Sequence, residues 1–138
     1  MTRPRFNPDT RRGALAQRIA TEHPSWRVTD YPTGPDQLGR GQVYAAVYRR
    51  TIAKHTQGQA LEHEVVIDLY VAQALTSAAE DEGDDRLDDL LITLAAMDDV
   101  TWSTAERHTF DALQGWRVTC TVYSTDVYAA AARRRLTA

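Results

Sequence analysis

The sequence has a single cysteine, Cys120, among its 138 residues. One thiol cannot form an internal disulfide, so a disulfide-stapled scaffold is excluded and a reducing cytoplasm suits the chain. No run of residues approaches the roughly 18 apolar residues that a membrane span needs. The arginines at the N-terminus are not followed by the apolar region of a secretion signal. We therefore expect the protein to stay in the compartment where it is made.

The sequence also has no large excess of positive or negative charge. The formal net charge is −3, which is too small to indicate a global attraction to nucleic acid or membrane. The share of apolar residues, 43%, and of charged residues, 25%, is ordinary for a globular chain with a core. Because single cores commonly span about 100 to 150 residues, we predict one domain over residues 1–138, whose ends at 1–7 and 133–138 could be flexible.

The usual metal-binding spacings are absent. A calcium-binding loop needs an aspartate five residues before its glycine, and Ala78 occupies that position before Gly83. His63 and Glu64 begin like the helical zinc-protease motif, but Ile67 stands where the second histidine would fall. The acidic series around Gly83 is therefore interpreted as a solvated surface, and we expect no metal ion.

Nucleophile and cofactor motifs are missing as well. Cys120 alternates with Val118 and Val122, so a small core residue is favoured over a nucleophile. The sequence has no phosphate-binding glycine loop and no Gly-x-Ser-x-Gly. We predict that the protein is not an enzyme and needs no cofactor.

The central stretch, Asp84 to Tyr123, predicts a helix followed by a hairpin. Asp84 or Asp85 can cap the helix start. Asp98 and Asp99 close the helix, and alternating residues then predict a strand over 100–110, a turn over 111–115 and a second strand over 116–123. The alternation places Thr104 on the covered face and Ala105 on the other. Four leucines follow the i, i+3, i+4, i+7 spacing of a single helical face: Leu87, Leu90, Leu91 and Leu94.

Shorter patterns predict the remaining elements. A first helix is capped by Asp9 and ends at Pro24, with Ala14, Leu15 and Ile19 as its apolar face and Arg11, Arg12, Arg18 and Glu22 in solvent. Strands are expected near Trp26 and over 42–50 and 61–72, with a linker over 73–83 and a last helix capped by Thr125 or Asp126. The fold class is therefore α+β, with a mainly antiparallel four- to five-stranded sheet packed by an N-terminal, a central and a short C-terminal helix.

Several stretches together resemble a known family. These are the Trp-Arg-Val strand, the Pro/Gly loop after it, "VVIDLYVA" (65–72), "DDRLDDLL" (84–91), "TWSTAERHTF" (101–110) and "GWRVTCTVY" (115–123). Their order resembles the tail terminator, or tail-completion, proteins of long-tailed bacteriophages, particularly those of actinobacterial hosts. The likeness extends over residues 9–123.

The resemblance implies an assembly protein without catalytic residues. Such proteins form a hexameric ring on the last layer of the tail tube, stop its growth and offer the joining surface to the head-completion or stopper protein. The expected location is the tail–neck junction of the virion, after assembly in the host cytoplasm. DNA would pass through the lumen without sequence-specific binding, and no membrane is involved.

Three groups of residues are candidate contacts. Two loops are expected to touch the tube or a neighbouring subunit, through Pro35, Asp36, Gln37, Leu38, Arg40, Lys54, His55 and Gln57. An acidic segment is expected to line or rim the lumen, so that DNA passes without adhering: Glu80, Asp81, Glu82, Asp84 and Asp85. Three arginines near the C-terminus could reach an acidic surface on a neighbour: Arg133, Arg134 and Arg135.

Two alternatives stay open from the sequence. The first is another phage neck protein, a head-completion or stopper protein, which would share the size, the ring symmetry and the lack of catalytic motifs. The second is a small ligand-binding domain that uses a sheet face as its pocket.

Overall fold

The computed structural model describes residues 6–35, 38–39, 41–54, 60–71, 77–110 and 113–137. These residues form three helices and five strands. In chain order they are α1 (Arg11–Glu22), β1 (Arg27–Thr29), β2 (Val43–Lys54), β3 (Ala60–Val71), α2 (Ser77–Ala95), β4 (Val100–Phe110), β5 (Leu113–Thr125) and α3 (Val127–Thr137). None of the described helices is both long enough and apolar enough to cross a membrane.

The strands form one mixed sheet in the order β1-β2-β3-β5-β4. β1 pairs in parallel with β2, and the other neighbours are antiparallel. The predicted α+β class and mainly antiparallel sheet are confirmed. The parallel edge pair was not predicted, because the short alternation around Val28 does not specify the direction of its partner.

One face of the sheet is covered by α1 and α2. The leucine stripe of α2 is confirmed, with Leu91 partly buried at its margin. Apolar side chains from all five strands meet these helices in one cluster. Its members from the two helices are Leu15, Ala16, Ile19, Leu87, Leu90 and Leu94, and those from the strands include Val28, Val43, Ala45, Val47, Val65, Ile67, Leu69, Val100, Val118, Cys120 and Val122.

The start of α1 differs from the prediction. Thr10, not Asp9, is the N-cap, and its Oγ1 accepts a hydrogen bond from the backbone N–H of Gly13 at 3.0 Å. Two arginines predicted to be in solvent instead bond within the fold. Arg12 Nε donates to the carbonyl oxygen of Asp30 at 2.8 Å, and Arg18 pairs with Asp99. Both side chains therefore fix α1 to segments that are distant in sequence.

The start of α2 corrects a second prediction. The helix begins at Ser77, so Ser77 to Gly83 is helical rather than a linker, and neither Asp84 nor Asp85 is the cap. The first turns of α2 have no apolar residues at helical spacing, so the sequence pattern did not indicate a helix there. An ion pair between Glu80 and Arg107 of β4 holds this part of the helix beside the sheet. The rest of the predicted linker lies outside the described residues.

The edge strand β4 contains a bulge that the alternation did not predict. The register with β5 shifts between Trp102 and Thr104. A bulge changes which residues share a face, so Ala105 pairs with Val118 and packs against the core, whereas Thr104 is exposed. The predicted place of Thr104 on the covered face is therefore wrong.

The remaining boundaries differ by several residues. β2 extends to Lys54, beyond the predicted end at Arg50, and β5 already begins at Leu113. Of the two predicted caps of α3, Thr125 and Asp126, it is Asp126 that caps the helix. Its side chain accepts a hydrogen bond from the N–H of Ala129 at 3.0 Å. However, no residue of α3 is fully buried, and only Ala129, Ala130 and Ala131 are half-buried, so this helix packs on the sheet less closely than predicted.

Candidate interaction surfaces

The face of the sheet opposite α1 and α2 carries a buried polar network. Asp68 of β3, only 5% exposed, is its centre. Arg117 Nε donates to Asp68 Oδ1 at 2.8 Å and Arg117 Nη2 donates to Oδ2 at 3.1 Å. The Tyr48 hydroxyl donates to Oδ2 at 2.8 Å. Because a guanidinium can only donate, His108 Nε2 accepts from Arg117 Nη2 at 3.2 Å, which places the ring proton of neutral His108 on Nδ1.

Two tyrosines near Asp68 have raised pKa values. Burial, with the carboxylate of Asp68 nearby, raises the pKa of Tyr70 to about 12. Burial and the hydrogen bond to Asp68 also raise the pKa of Tyr48, and the hydrogen bond to Asp68 raises the pKa of Arg117. Both carboxylate oxygens of Asp68 accept bonds from side chains, so the network joins β2, β3 and β5 as a structural ion pair.

Part of the first predicted interface loop lies against this sheet face. Pro35 is buried, and Leu38 packs against Tyr44 and Tyr70. In the single chain Pro35 is therefore covered, and Leu38 is half-buried. Asp36, Gln37 and Arg40 lie outside the described residues.

The second predicted interface loop begins inside a strand. Lys54 is the exposed last residue of β2. It lines a groove of about 230 Å³ together with Leu61 and Tyr128, so the end of β2 lies beside the start of α3. His55 and Gln57 lie outside the described residues.

The predicted acidic segment occupies the first turns of α2. Glu80 is bonded to Arg107, whose Nη2 lies 2.5 Å from Glu80 Oε2, and this hydrogen bond lowers the pKa of Glu80. Glu82 is half-buried. The other acids are exposed and, at the i, i+3, i+4, i+7 spacing, share one helical face: Asp81, Asp84, Asp85 and Asp88. We call these four residues the acidic stripe.

The three predicted contact arginines are on α3. Arg133, Arg134 and Arg135 are all exposed. The same helix exposes large apolar side chains, among them Tyr128 and, near its end, Leu136, which is 87% exposed. α3 therefore presents apolar and cationic groups together, with no buried anchor.

Two further surfaces were missed by the sequence reasoning. A groove of about 670 Å³ lies between the last turns of α1 and α2, and we call it the helix groove. Ile92, 69% exposed, stands at its wall. The second surface is a smaller cavity at the start of α1. Both are lined by residues far apart in sequence, which no local spacing brings together. The helix groove is lined by Gln17, Arg18, Thr21, Glu22, Ile92, Thr93, Ala96, Met97, Asp98 and Asp99.

Among the described residues, no group of three or more His, Cys, Asp or Glu side chains is arranged to hold a metal ion. The polar side chains at the centre of the sheet are bonded to one another, and the exposed features are grooves, a charged stripe and a protruding helix. No protein-family model matches the chain, and no curated protein matches it.

Proposed function

We propose that this protein is a tail terminator of a long-tailed bacteriophage. Copies of the chain form a ring, which we take to be hexameric, on the last layer of the tail tube. The ring stops tube growth and offers a joining surface to the head-completion or stopper protein. The observation that carries this proposal is α3, a helix without a single buried residue.

A helix of this kind needs a partner to be stable. Isolated helices shorter than about 12 to 15 residues are marginal in water, and α3 has 11 residues. Its exposed apolar residues, Val127, Tyr128 and Leu136, gain free energy if another surface covers them. A neighbouring copy of the chain supplies that surface.

The helix groove is the complementary patch. It offers Ile92 and Met97 for apolar contact, with the carboxylates of Glu22 and Asp98 beside them. This combination matches the exposed apolar side chains and the arginines of α3. α3 begins beside the start of α1, where Tyr128 and Thr10 line the same cavity, whereas the groove flanks the end of α1.

The two proposed contact surfaces, α3 and the helix groove, lie near opposite ends of α1. Two different surfaces on one subunit favour a ring. When α3 of one copy binds the groove of the next, the contact is head to tail, and such contacts close into rings if the rotation permits. The arginines Arg133 to Arg135 thereby reach an acidic surface on a neighbour. The exposed edge strand β4 and the end of β2 at Lys54 are left for contact with the tube.

The acidic stripe is assigned to the lumen. Its four carboxylates are exposed, and repulsion from the phosphate backbone would let DNA pass without adhering. One ring face then fits the tube and the other does not fit a further tube layer, so growth ends by lack of complementarity.

Electron microscopy of tail tubes polymerised with and without the purified protein tests the proposal. We expect tubes of defined end structure capped by a ring, and shorter tubes as the protein concentration rises. Binding to the portal side instead of tubes would identify another neck protein. Neither rings nor any binding to tube protein would overturn the assembly role and favour the small ligand-binding domain.

Variants locate the contact between copies. Ile92→Asp places a charge in the helix groove at an exposed position, so the monomer should fold while capping is lost. Tyr31→Asp is the matched control, because it also replaces an exposed apolar side chain by aspartate but lies outside the groove. Equal capping by both variants would contradict the proposed contact.

A further inference from the structure

The cavity at the start of α1 collects positive charge. It has a volume of about 270 Å³ and lies where the first turn of α1 meets the end of the sheet. Its lining residues are Asp9, Thr10, Arg11, Arg12, Arg49, His63, Ser124, Val127 and Tyr128. Three arginines and one aspartate therefore line the same small cavity, in a chain whose net charge is negative.

The three arginines differ from five others that are paired with acidic side chains. Each of Arg18, Arg50, Arg86, Arg107 and Arg117 forms an ion pair with an aspartate or glutamate. Within the described part of the chain, no aspartate or glutamate forms an ion pair with Arg11, Arg12 or Arg49, although Arg11 is near enough to Asp99 to help lower its pKa. Arg12 is held in place by its Nε bond to the carbonyl oxygen of Asp30. Three cations that share a cavity with a single carboxylate, Asp9, leave an excess of positive charge, and such an excess favours the binding of an anion.

A buried histidine in the same cavity has one unsatisfied ring nitrogen. His63 is 3% exposed, and its Nε2 lies 2.8 Å from Ser124 Oγ. Because the Ser124 hydroxyl donates to the carbonyl oxygen of Thr125 at 3.2 Å, Nε2 carries the proton and donates to Ser124. Nδ1 then holds a buried lone pair without a hydrogen-bond partner among the described residues. Such orphaned atoms are rare in proteins and need an explanation.

The surroundings keep this histidine neutral. Burial, and then the charges of Arg49 and Arg11, lower the pKa of His63. An anion between the arginines would offset their charge, and a protonated Nδ1 would become a donor instead of an unpaired acceptor. The other ionisable groups that face this cavity are Arg12, Asp9 and Tyr128.

We propose that this cavity is a binding site for a phosphate group, held by Arg11, Arg12 and Arg49. Arginine forks match the oxygen geometry of phosphate, and the positive end of the α1 dipole, at Thr10 and Arg11, favours the same charge. The phosphate could be a free ion or part of a nucleic acid backbone, because the chemistry of recognition is shared. The site does not depend on the proposed ring and stands whether or not the chain caps tubes.

Calorimetric titration of the full chain with inorganic phosphate at constant ionic strength tests the site. We expect saturable one-site binding that Arg49→Gln weakens at least tenfold. Arg50→Gln is the matched control, since it removes the same charge from the next residue of β2, where the guanidinium pairs with Glu64 instead. Arg50→Gln should leave phosphate affinity within twofold of the unsubstituted protein.

A histidine readout makes the test independent of calorimetry. In ¹H–¹⁵N spectra, the pKa of His63 should rise when phosphate is added, and Arg49→Gln should abolish the phosphate-dependent part of that rise. A second experiment titrates the protein with a short oligonucleotide that has no terminal phosphates. If the oligonucleotide binds more tightly than inorganic phosphate and its binding depends on Arg49, the natural ligand is a nucleic acid backbone. If inorganic phosphate binds and the oligonucleotide does not, the natural ligand is a free ion. Absence of saturable binding of either probe, or equal weakening by both arginine variants, would overturn the proposal.

Discussion

Arg117 donates two hydrogen bonds to the buried carboxylate of Asp68 from the neighbouring strand, at 2.8 and 3.1 Å. The two residues are paired in register between β3 and β5. They lie on the sheet face that neither α1 nor α2 covers, and Tyr48 of β2 bonds to the same carboxylate. Together, these bonds to Asp68 join three strands across a face that neither α1 nor α2 covers.

Asp68→Asn should therefore be strongly destabilising. Removing the carboxylate leaves the guanidinium of Arg117 without its counter-ion in a largely buried place, and we expect a loss of about 3 kcal/mol in the free energy of unfolding. Urea denaturation measures this loss. Glu64→Gln is the control, since it breaks the more exposed pair with Arg50 and should cost less than about 1 kcal/mol. Similar losses of unfolding free energy in both variants would contradict the expectation that the buried ion pair costs more to break than the exposed one.

The Arg18–Asp99 pair should give a modest pH dependence. The hydrogen bond from Arg18 lowers the pKa of Asp99 in the folded protein. The pair therefore stabilises the fold at pH values above the unfolded pKa of aspartate, about 3.9, and this contribution is lost as the pH falls through the lower folded pKa. Both side chains are more than a third exposed, so we expect less than about 1 kcal/mol.

Comparison of Asp99→Asn with the unsubstituted protein checks that sign. Urea denaturation at pH 7 should show a small stability deficit in the variant, and the deficit should shrink progressively as the pH falls below about 3.9. A deficit that grows on acidification would contradict the assignment of a lowered pKa to Asp99.

Gly115→Ala should destabilise the sheet where β5 begins. A Cβ atom at this position would lie 1.8 Å from the carbonyl oxygen of Leu69 on β3. Backbone atoms of a central strand cannot move aside freely, so we expect a cost of about 3 kcal/mol, at the upper end for overpacking. Thermal or urea denaturation measures it.

Gly39→Ala is the comparison for that variant. The three heavy atoms nearest to its Cβ would all belong to the end of the Gln42 side chain, the first of them at 3.2 Å. A flexible side chain can give way, so the change in stability should stay within about 0.5 kcal/mol. If Gly115→Ala were as mild as Gly39→Ala, the close approach of β3 and β5 would be wrong.

Cys120 should resist alkylation in the folded protein. It is fully buried in the core, and burial raises the pKa of its thiol to about 12. The thiolate is the reactive species, so we expect iodoacetamide at pH 8 to modify the native protein at least about 100-fold more slowly than the urea-unfolded protein. Mass spectrometry follows the reaction. Rapid modification under native conditions would place Cys120 at the surface.

The periodic segments were predicted well because their burial is one-sided. The leucine stripe of α2 and the alternation of Val118, Cys120 and Val122 both match the buried positions. Each pattern repeats over several residues, so a local period was enough to identify the face. Where the period was weak, as over Ser77 to Gly83, the start of the helix was misplaced.

The cavities and grooves of the surface could not be predicted in the same way. Arg11, Arg49 and His63 are on α1, β2 and β3, and nothing in their spacing indicates that they share a cavity. Arg12 and Arg18 looked like the solvated side of a helix because charged residues on a helix usually are. Their actual partners, Asp30 and Asp99, become neighbours only after the chain has folded.

By itself, the sequence determined the fold class, the long central strand, the leucine face of α2 and the burial of Cys120, because apolar side chains at regular spacing must leave water together. Only the tertiary structure decided the parallel pairing of β1, the bulge in β4, the bonded partners of the arginines and the exposed state of α3. These features depend on contacts between residues distant along the chain, and such contacts leave no local period to be read.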